Sequence, residues 1–321
     1  MTRTRSLATS LLSLSAAALL ALTTAGGATA APAAAGDKEQ PSVTSAAVDS
    51  TGAADYWTAD RMRSAIPGDV LAGKALERGN TSSAATVEKG ASTKVRAGKG
   101  KPTIAVSENP VDHIGKVFFT LAGTNYVCSG NAVVSTNKST VATAGHCLNE
   151  GPGAFASNFI FVPAYLNGAA PYGQWTAKAL YAPTQWSSNG NMQYDTGFAV
   201  MNTLDGKYLS DVVNESGVEF NAARGLTYKS YGYPAASPFN GASLKSCYGA
   251  ASNDPNNPAF LTQGISCDMT GGSSGGPWFI GSSATGLQNS INSYGYSGSP
   301  VMYGPYWGTV IQQTYTSAAA S

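Results

Sequence analysis

A serine surrounded by glycines is the feature of this sequence that most directly suggests chemistry. Residues 271–278 read G-G-S-S-G-G-P-W, and Ser274 lies in the middle of this run. Glycines permit backbone conformations that other residues avoid, so such a loop can direct two N–H groups at one oxygen beside a serine hydroxyl. Taken alone, the run is also compatible with an ordinary Gly/Ser surface loop.

A histidine at the end of a β-type run is the second candidate for chemistry. The segment T-A-G-H-C, residues 143–147, contains His146, one of only two histidines in the chain. A histidine at a strand end, beside a cysteine that can form a disulfide, is well placed to act as a general base. The other histidine, His113, lies near a predicted processing region in a polar context. If one histidine is catalytic, we therefore expect it to be His146.

The two motifs together resemble the chymotrypsin/trypsin superfamily of serine proteases. T-A-G-H-C followed downstream by G-x-S-G-G-P is similar to the secreted bacterial branches, which include the glutamyl endopeptidases, and the resemblance covers roughly residues 103–316. It implies an endopeptidase that forms an acyl-enzyme on Ser274, with His146 as general base and then general acid. The N–H groups of Gly272 and Ser274 would form the oxyanion hole, and no metal or organic cofactor is implied.

The resemblance also requires an aspartate between the two motifs, before a hydrophobic strand. Asp195 satisfies this requirement, 49 residues after His146 and 79 residues before Ser274. A buried aspartate there would accept the Nδ1 proton of the histidine and stabilise the imidazolium. Asp205 and Asp211 are competitors, but they lie beyond the strand and are more easily interpreted as turn residues.

The four cysteines predict two disulfide bonds, because an even number in an exported chain indicates pairing. Three pairings are possible, and a zinc site is disfavoured by the absence of a C-x2-C pair and the presence of only two histidines. The resemblance implies Cys128–Cys147 beside the catalytic histidine, which leaves Cys247–Cys267. The second bond is a departure, since trypsin and chymotrypsin have a cysteine closer to the nucleophile.

A second departure concerns activation. Trypsin-like enzymes have an aspartate immediately before the nucleophile, which pairs with a new N-terminal ammonium, but here that position is Ser273. Activation by that ion pair is therefore not expected. The alternative is a propeptide that assists folding or blocks the cleft until it is removed.

The resemblance implies that two stretches form the pocket for the residue before the cleaved bond, and these contain Asp268, Met269, Ser293, Tyr294 and Gly295. The backbone of the second stretch, residues 293–295, would pair with the substrate as an added strand. Asp268 has the offset from Ser274 at which trypsin carries its selective carboxylate, which would favour Arg or Lys. The different cysteine pattern leaves a large apolar residue equally open. The absence of histidine in residues 292–295 argues against glutamate.

The first third of the chain has the composition of targeting and processing segments. Arg3 and Arg5, an apolar run over residues 11–22 and A-T-A at residues 28–30 predict a signal peptide over residues 1–30, with A-A-A at residues 33–35 as a second possible cleavage site. An uncleaved membrane anchor is the alternative. Residues 31–102 are interpreted as a propeptide or, alternatively, a permanent spacer. Thr58 is expected to cap a short helix within it, and Pro67 is expected to end that helix.

Residues 103–321 form the predicted protease domain. Short β-type runs separated by Gly, Pro, Asn and Ser indicate an all-β sandwich or barrel, with one good helix candidate near residues 307–314. The resemblance implies two antiparallel six-stranded barrels, with this short C-terminal helix closing the back. A charged fraction of 12% suits a secreted, extracellular protein, and a net charge of +1 provides no footprint for nucleic acid.

The expected partners are protein or peptide substrates and the chain's own propeptide as inhibitor or folding aid. No membrane contact is expected after signal cleavage, and we expect a monomer. A non-catalytic homologue acting as a binding module and a secreted serine esterase are the rival hypotheses. The esterase elbow needs the order Ser, Asp, His on an α/β fold, whereas this chain has the order His, Asp, Ser and mostly strands.

Overall fold

The computed structural model describes residues 42–79 and 104–321. The predicted signal peptide and residues 80–102 of the predicted propeptide lie outside these ranges. The strands are β1 Val43–Ala47, β2 Ile66–Pro67, β3 Val106–Ser107, β4 Ile114–Leu121, β5 Thr124–Val133, β6 Thr140–Thr143, β7 Ser157–Pro163, β8 Trp175–Pro183, β9 Gly197–Met201, β10 Thr227–Gly232, β11 Lys245–Ala250, β12 Ser252–Asn253, β13 Gln263–Ser266, β14 Pro277–Ile280, β15 Gln288–Ile291 and β16 Val301–Gly304. The helices are α1 Ala53–Tyr56, α2 Ala59–Ser64, α3 Asp69–Gly79, α4 Thr184–Ser187, α5 Leu209–Val213 and α6 Thr309–Ala319.

Six of these strands form a closed antiparallel barrel, in the order β4, β5, β6, β9, β8, β7 and back to β4. Every residue of β4, β6 and β9 is buried, because one face of each strand fills the barrel and the other is covered by neighbouring elements. Aromatic and β-branched side chains, which suit a pleated surface, dominate the interior. They include Val117, Phe119, Val141, Phe159, Phe161, Trp175, Phe198 and Val200.

The second half of the protease region is divided between two sheets. One has the order β15, β14, β10, β11, β3, and the other has the order β12, β13, β16. The disulfide between Cys247 in β11 and Cys267 directly after β13 joins them. The predicted fold class is therefore confirmed as mostly β with a closed six-stranded barrel, while the six longer strands of the predicted second barrel are distributed over two sheets.

The helix predicted near the C-terminus is α6, and it continues to Ala319, beyond the predicted end. Its apolar residues Ile311 and Ala318 pack on the core of the first barrel. The short helix predicted after Thr58 is α2, and the Thr58 side chain accepts a hydrogen bond from the N–H of Arg61 at 3.3 Å. Within the described ranges, no helix combines the length and the apolar character needed to cross a bilayer.

Candidate active site

His146 and Asp195 form a buried hydrogen-bonded pair between two strands of the first barrel. His146 lies in a single turn of 3-10 helix directly after β6, and Asp195 lies two residues before β9. The distance from His146 Nδ1 to Asp195 Oδ2 is 2.8 Å, and the backbone N–H of His146 donates to Asp195 Oδ1, also at 2.8 Å. Because a carboxylate only accepts, Nδ1 carries the ring proton and Nε2 is the basic atom.

Ser293 adds a third donor to the same carboxylate. Its Oγ donates to Asp195 Oδ2 at 2.5 Å, although the two residues are 98 positions apart in the chain. Asp195 and Ser293 are both buried. A buried carboxylate is tolerable only when its lone pairs have partners, and three donors meet that condition here. Ser293 was predicted only as a pocket residue, and its contact with Asp195 was not foreseen.

The position of His146 depends on a tightly packed turn. A methyl group on Gly145 would lie 2.8 Å from the Trp186 ring and 3.0 Å from Asp195 Oδ1, so only glycine fits there. The indole of Trp186 contacts the imidazole edge-on, with ring centroids 6.5 Å apart. The next residue, Cys147, is bonded to Cys128 in β5. Close packing at Gly145 and the disulfide bond at Cys147 therefore fix the two ends of the turn.

The loop that carries Ser274 precedes β14 in the second half of the fold and is hydrogen-bonded to the first barrel. Ser129 in β5 donates from its N–H to the carbonyl of Ser274 at 2.7 Å and from its Oγ to the carbonyl of Gly272 at 2.9 Å. Gly272 and Gly275 have φ angles of +92° and +79°, which glycine adopts without strain. These conformations turn the backbone sharply on both sides of the serine.

The hydrogen bonds within this loop do not use the N–H groups of Gly272 and Ser274. The N–H groups of Ser273, Gly275 and Gly276 each donate to a backbone carbonyl. Those of Gly272 and Ser274 have no hydrogen-bond acceptor among residues 42–79 and 104–321. His146 Nε2 is likewise buried without a hydrogen-bond partner in these ranges. Two free donors and one free ring nitrogen are what acyl transfer to a serine requires.

The five predicted pocket residues surround one cavity of about 680 Å3 beside Ser274. Met269, Val301 and Met302 contribute apolar wall, while Tyr294 and Tyr296 contribute aromatic wall. Asp268 also lines the cavity, and its Oδ1 accepts a hydrogen bond from the N–H of Ala105 at 2.6 Å. The predicted trypsin-like carboxylate is thus in contact with the chain's own backbone.

The segment from β2 to α3 lies across the same cleft. Pro67 pairs with Val127 of β5 in parallel, and the N–H of Gly68 donates to the carbonyl of Val127 at 2.9 Å. A methyl group on Gly68 would be 2.6 Å from the Cys128 sulfur, and one on Gly271 would overlap the Asp69 carboxylate. The pKa of Asp69 is raised, because desolvation outweighs the opposing effect of the nearby His146 imidazole, although the residue is exposed. Helix α3 then lines the cavity with Ala72, Gly73 and Leu76.

The competing residues have other surroundings. Asp205 lies in a turn with a φ of +51°, and Asp211 pairs with Lys138 at 3.0 Å. The ring of His113 bonds to Asn131 Oδ1 at 2.7 Å, and burial lowers its pKa. In the described part of the chain, the one group of three potential metal ligands is His146 with Cys128 and Cys147. It does not fit a metal, because the two sulfurs are bonded to each other.

Comparison with known proteins gives two relatives that this chain matches over nearly their whole length. The protease Anisep from Arthrobacter nicotinovorans is 79% identical, with a TM-score of 0.66, and the match covers 67% of this chain and 99% of Anisep. The thermostable serine protease AL20 from an extremophilic microorganism is 51% identical, with a TM-score of 0.63, and the match covers 65% of this chain and 98% of AL20.

Two further matches are more limited, one to the fold and the other to a short part of the chain. A Glu endopeptidase solved in complex with MPD shares the fold at 18% identity and a TM-score of 0.54, with 70% of this chain and 99% of that chain covered. An extracellular metalloprotease from Bacillus subtilis (strain 168) is 31% identical over 81 residues. That match spans about a quarter of this chain and a quarter of the length of that curated relative. No protein-family model matches the chain.

Proposed function

Because this chain belongs to the chymotrypsin-like serine proteases, we propose that it is a secreted endopeptidase that cleaves peptide bonds through an acyl-enzyme on Ser274. The observation that carries this proposal is the buried pair of His146 and Asp195, with 2.8 Å between Nδ1 and Oδ2, beside a serine loop in which the N–H groups of Gly272 and Ser274 are unused. Secretion rests on the predicted signal peptide over residues 1–30.

Each residue then has one role in the reaction. His146 Nε2 accepts the proton of the Ser274 hydroxyl as the oxygen attacks the scissile carbonyl, and the protonated ring later donates that proton to the leaving amine. Asp195 fixes the tautomer and stabilises the imidazolium. The N–H groups of Gly272 and Ser274 bind the oxyanion, and the loss of one such donor costs a factor of roughly 10²–10³ in rate. Water repeats the sequence through the same histidine to release the acyl group.

We further propose that residues 31–102 are a propeptide and that its described part keeps the enzyme latent. A substrate peptide whose residue before the cleaved bond lies in the cavity runs from the cavity, past Ser274, to the opposite end of the cleft. The segment from Pro67 to Leu76 runs in the reverse direction, from the Cys128–Cys147 disulfide to the cavity. It therefore occupies the cleft without presenting a peptide bond as a substrate does. The match to Anisep covers a share of the chain close to that of residues 104–321, which agrees with removal of this part.

Two glycine substitutions test latency in purified, unprocessed chain. Gly68→Ala places a methyl group 2.6 Å from the Cys128 sulfur, whereas the matched control Gly73→Ala meets no atom within 4 Å. We expect initial hydrolysis of a peptide substrate to rise for Gly68→Ala before any processing is visible on a gel, and to stay at the parent level for Gly73→Ala. Equal rates for all three proteins would contradict latency by this segment.

For the residue before the cleaved bond, we propose a large apolar side chain. Asp268, the carboxylate that would select Arg or Lys, accepts the N–H of Ala105. The wall also contains Met269, Val301 and Met302 and two tyrosine rings, together with several serine and threonine hydroxyls, and Leu76 of α3 already lies against it. An apolar substrate residue would replace this leucine with a similar burial of apolar surface.

The experiment for the function as a whole is digestion of a diverse peptide mixture, with every cut site sequenced by mass spectrometry. The processed protein is compared with Ser274→Ala and with Ser283→Ala, an exposed serine on a turn. We expect cuts after large apolar residues with the parent and Ser283→Ala, and none with Ser274→Ala. Retained cutting by Ser274→Ala would overturn the nucleophile. No cutting by the parent would favour a non-catalytic homologue or, if a simple ester is hydrolysed, an esterase.

A further inference from the structure

Asp254 is a fully buried carboxylate outside the catalytic pair. It lies directly after β12 and has no solvent exposure. Among residues 42–79 and 104–321, no lysine, arginine or histidine forms an ion pair with it. A buried acid without a cation is costly unless hydrogen bonds satisfy its oxygens. The hydrogen-bond donors around Asp254 therefore indicate its function.

Four donors surround the carboxylate, and two of them come from the wall of the substrate cavity. Oδ1 accepts the N–H groups of Asn256 at 2.9 Å and Asn257 at 3.3 Å. Oδ2 accepts the hydroxyls of Tyr294 at 2.8 Å and Tyr296 at 2.7 Å. Burial, and to a smaller extent the carboxylate itself, raises the pKa of both phenols. Both hydroxyls therefore keep their protons and act as donors.

The spacing of the two tyrosines explains how one acid can bind both. In an extended chain, residues two apart project to the same side, so both hydroxyls can meet a single oxygen. The Tyr294 ring stacks on Tyr303 with centroids 5.1 Å apart, and the Tyr296 ring contacts the same Tyr303 edge-on at 5.4 Å. Asp254 therefore holds the hydroxyl ends of Tyr294 and Tyr296, while the rings of both tyrosines pack on Tyr303.

This cluster is continuous with the catalytic residues. Ser293, the residue before Tyr294, donates to Asp195, and residues 293–296 all line the cavity beside Ser274. The short stretch from Ser293 to Tyr296 is therefore attached to a buried carboxylate at each end. One attachment is to Asp195, the partner of His146, and the other is to Asp254.

We propose that Asp254 is a positioning residue that fixes Tyr294 and Tyr296 as the aromatic wall of the substrate pocket. The proposal rests on the proposed function and names a residue that determines substrate binding rather than the chemical step. If the wall loosens, the cavity loses its shape for the substrate residue, so KM should rise. Asp195 keeps its own hydrogen bonds from His146 and Ser293, so kcat should change little.

The test compares three variants of the processed enzyme on one peptide substrate. Asp254→Asn removes the charge and one acceptor oxygen, and Tyr296→Phe removes a single donor and keeps the ring. The matched control is Tyr228→Phe, a buried tyrosine that does not line the cavity and whose hydroxyl donates to Asn289 at 2.8 Å. The rate of inactivation by methanesulfonyl fluoride reports Ser274 reactivity with a reagent too small to need the wall.

For Asp254→Asn and Tyr296→Phe we expect KM to rise roughly ten-fold, as for the loss of one hydrogen bond to a charged group. Inactivation by the sulfonyl fluoride should stay at the parent rate, and Tyr228→Phe should keep the parent KM. An unchanged KM in Tyr296→Phe overturns the proposal, even if Asp254→Asn fails to fold. A loss confined to kcat and to the rate of sulfonylation also overturns it, because Asp254 would then support His146, Asp195 and Ser274 rather than the pocket wall. A parent enzyme that behaves like Ser274→Ala would instead overturn the proposed function, and this proposal with it.

Discussion

Replacing Lys116 by methionine should stabilise the protein at neutral pH, and the gain should shrink as the pH rises. Lys116 in β4 is almost fully buried, at 4% exposure. Its Nζ donates to the carbonyl of Gly241 at 3.0 Å and lies 4.5 Å from the centre of the Tyr165 ring. Within the described ranges, no carboxylate pairs with it. Burial lowers its pKa from 10.5 to about 8.

The magnitude follows from linkage between protonation and folding. Between pH 8 and pH 10.5 the unfolded chain binds a proton at this position and the folded chain does not, so the free energy of unfolding increases with pH in this window. A shift of two to three pKa units corresponds to about 3 kcal/mol. Below pH 8 the folded protein contains the charged ammonium at that cost. Methionine cannot titrate, so the stability difference between Lys116→Met and the parent should fall by about 2–3 kcal/mol from pH 7 to pH 10.

The assay is urea unfolding across this pH range in the Ser274→Ala background, which prevents autolysis, with reversibility checked by dilution. Lys138→Met is the control, because Lys138 is exposed and its hydrogen bond to Asp211 raises its pKa. Removing that lysine cannot reproduce the trend. A difference between Lys116→Met and the parent that stays constant from pH 7 to pH 10 would refute the reasoning, since it would mean that the buried ammonium is not destabilised.

Three further predictions concern the site. Asp195→Asn should lower kcat by a factor of about 10⁴, because the His146 ring loses the acceptor that fixes its tautomer; steady-state kinetics that retain the parent kcat would contradict this role. Gly275→Ala should abolish accumulation of folded protein, because its methyl group would overlap atoms of β5 and β6. Gly123→Ala, with a similar φ of +78° but open space around it, should cost only about 1–2 kcal/mol in thermal or urea unfolding. Asp268→Asn should cut after the same large apolar residues as the parent. If the parent instead cuts after Arg or Lys and Asp268→Asn loses that preference, the carboxylate selects the substrate.

Several features could be predicted because they depend on neighbours in the chain. The strand before His146 and the helix after Thr58 follow from local patterns of apolar, β-branched and capping residues. The all-β class and the C-terminal helix were predicted and are confirmed. The structure also contains the bonds Cys128–Cys147 and Cys247–Cys267, the pairing that the resemblance implied. The roles assigned to His146, Asp195 and Ser274 remain predictions for the experiments above.

Other features depend on contacts between distant segments, which no local pattern records. The hydrogen bond from Ser293 to Asp195 joins residues 98 positions apart. The position of Gly68 and Asp69 in the cleft depends on pairing of β2 with β5, about 60 residues later in the chain. The sequence around Gly68 and Asp69 predicts only a short helix before them and gives no sign of a contact with the cleft.

The sequence alone determined the chemistry that is available, since a glycine-rich serine loop, one well-placed histidine and one aspartate before a strand are local signals. Tertiary structure alone decided which carboxylates serve which purpose. Asp195 meets a histidine, Asp254 meets two tyrosines and Asp268 meets a backbone N–H. The physical reason is that the function of a carboxylate depends on the donors that surround it, and folding brings most of those donors from distant parts of the chain.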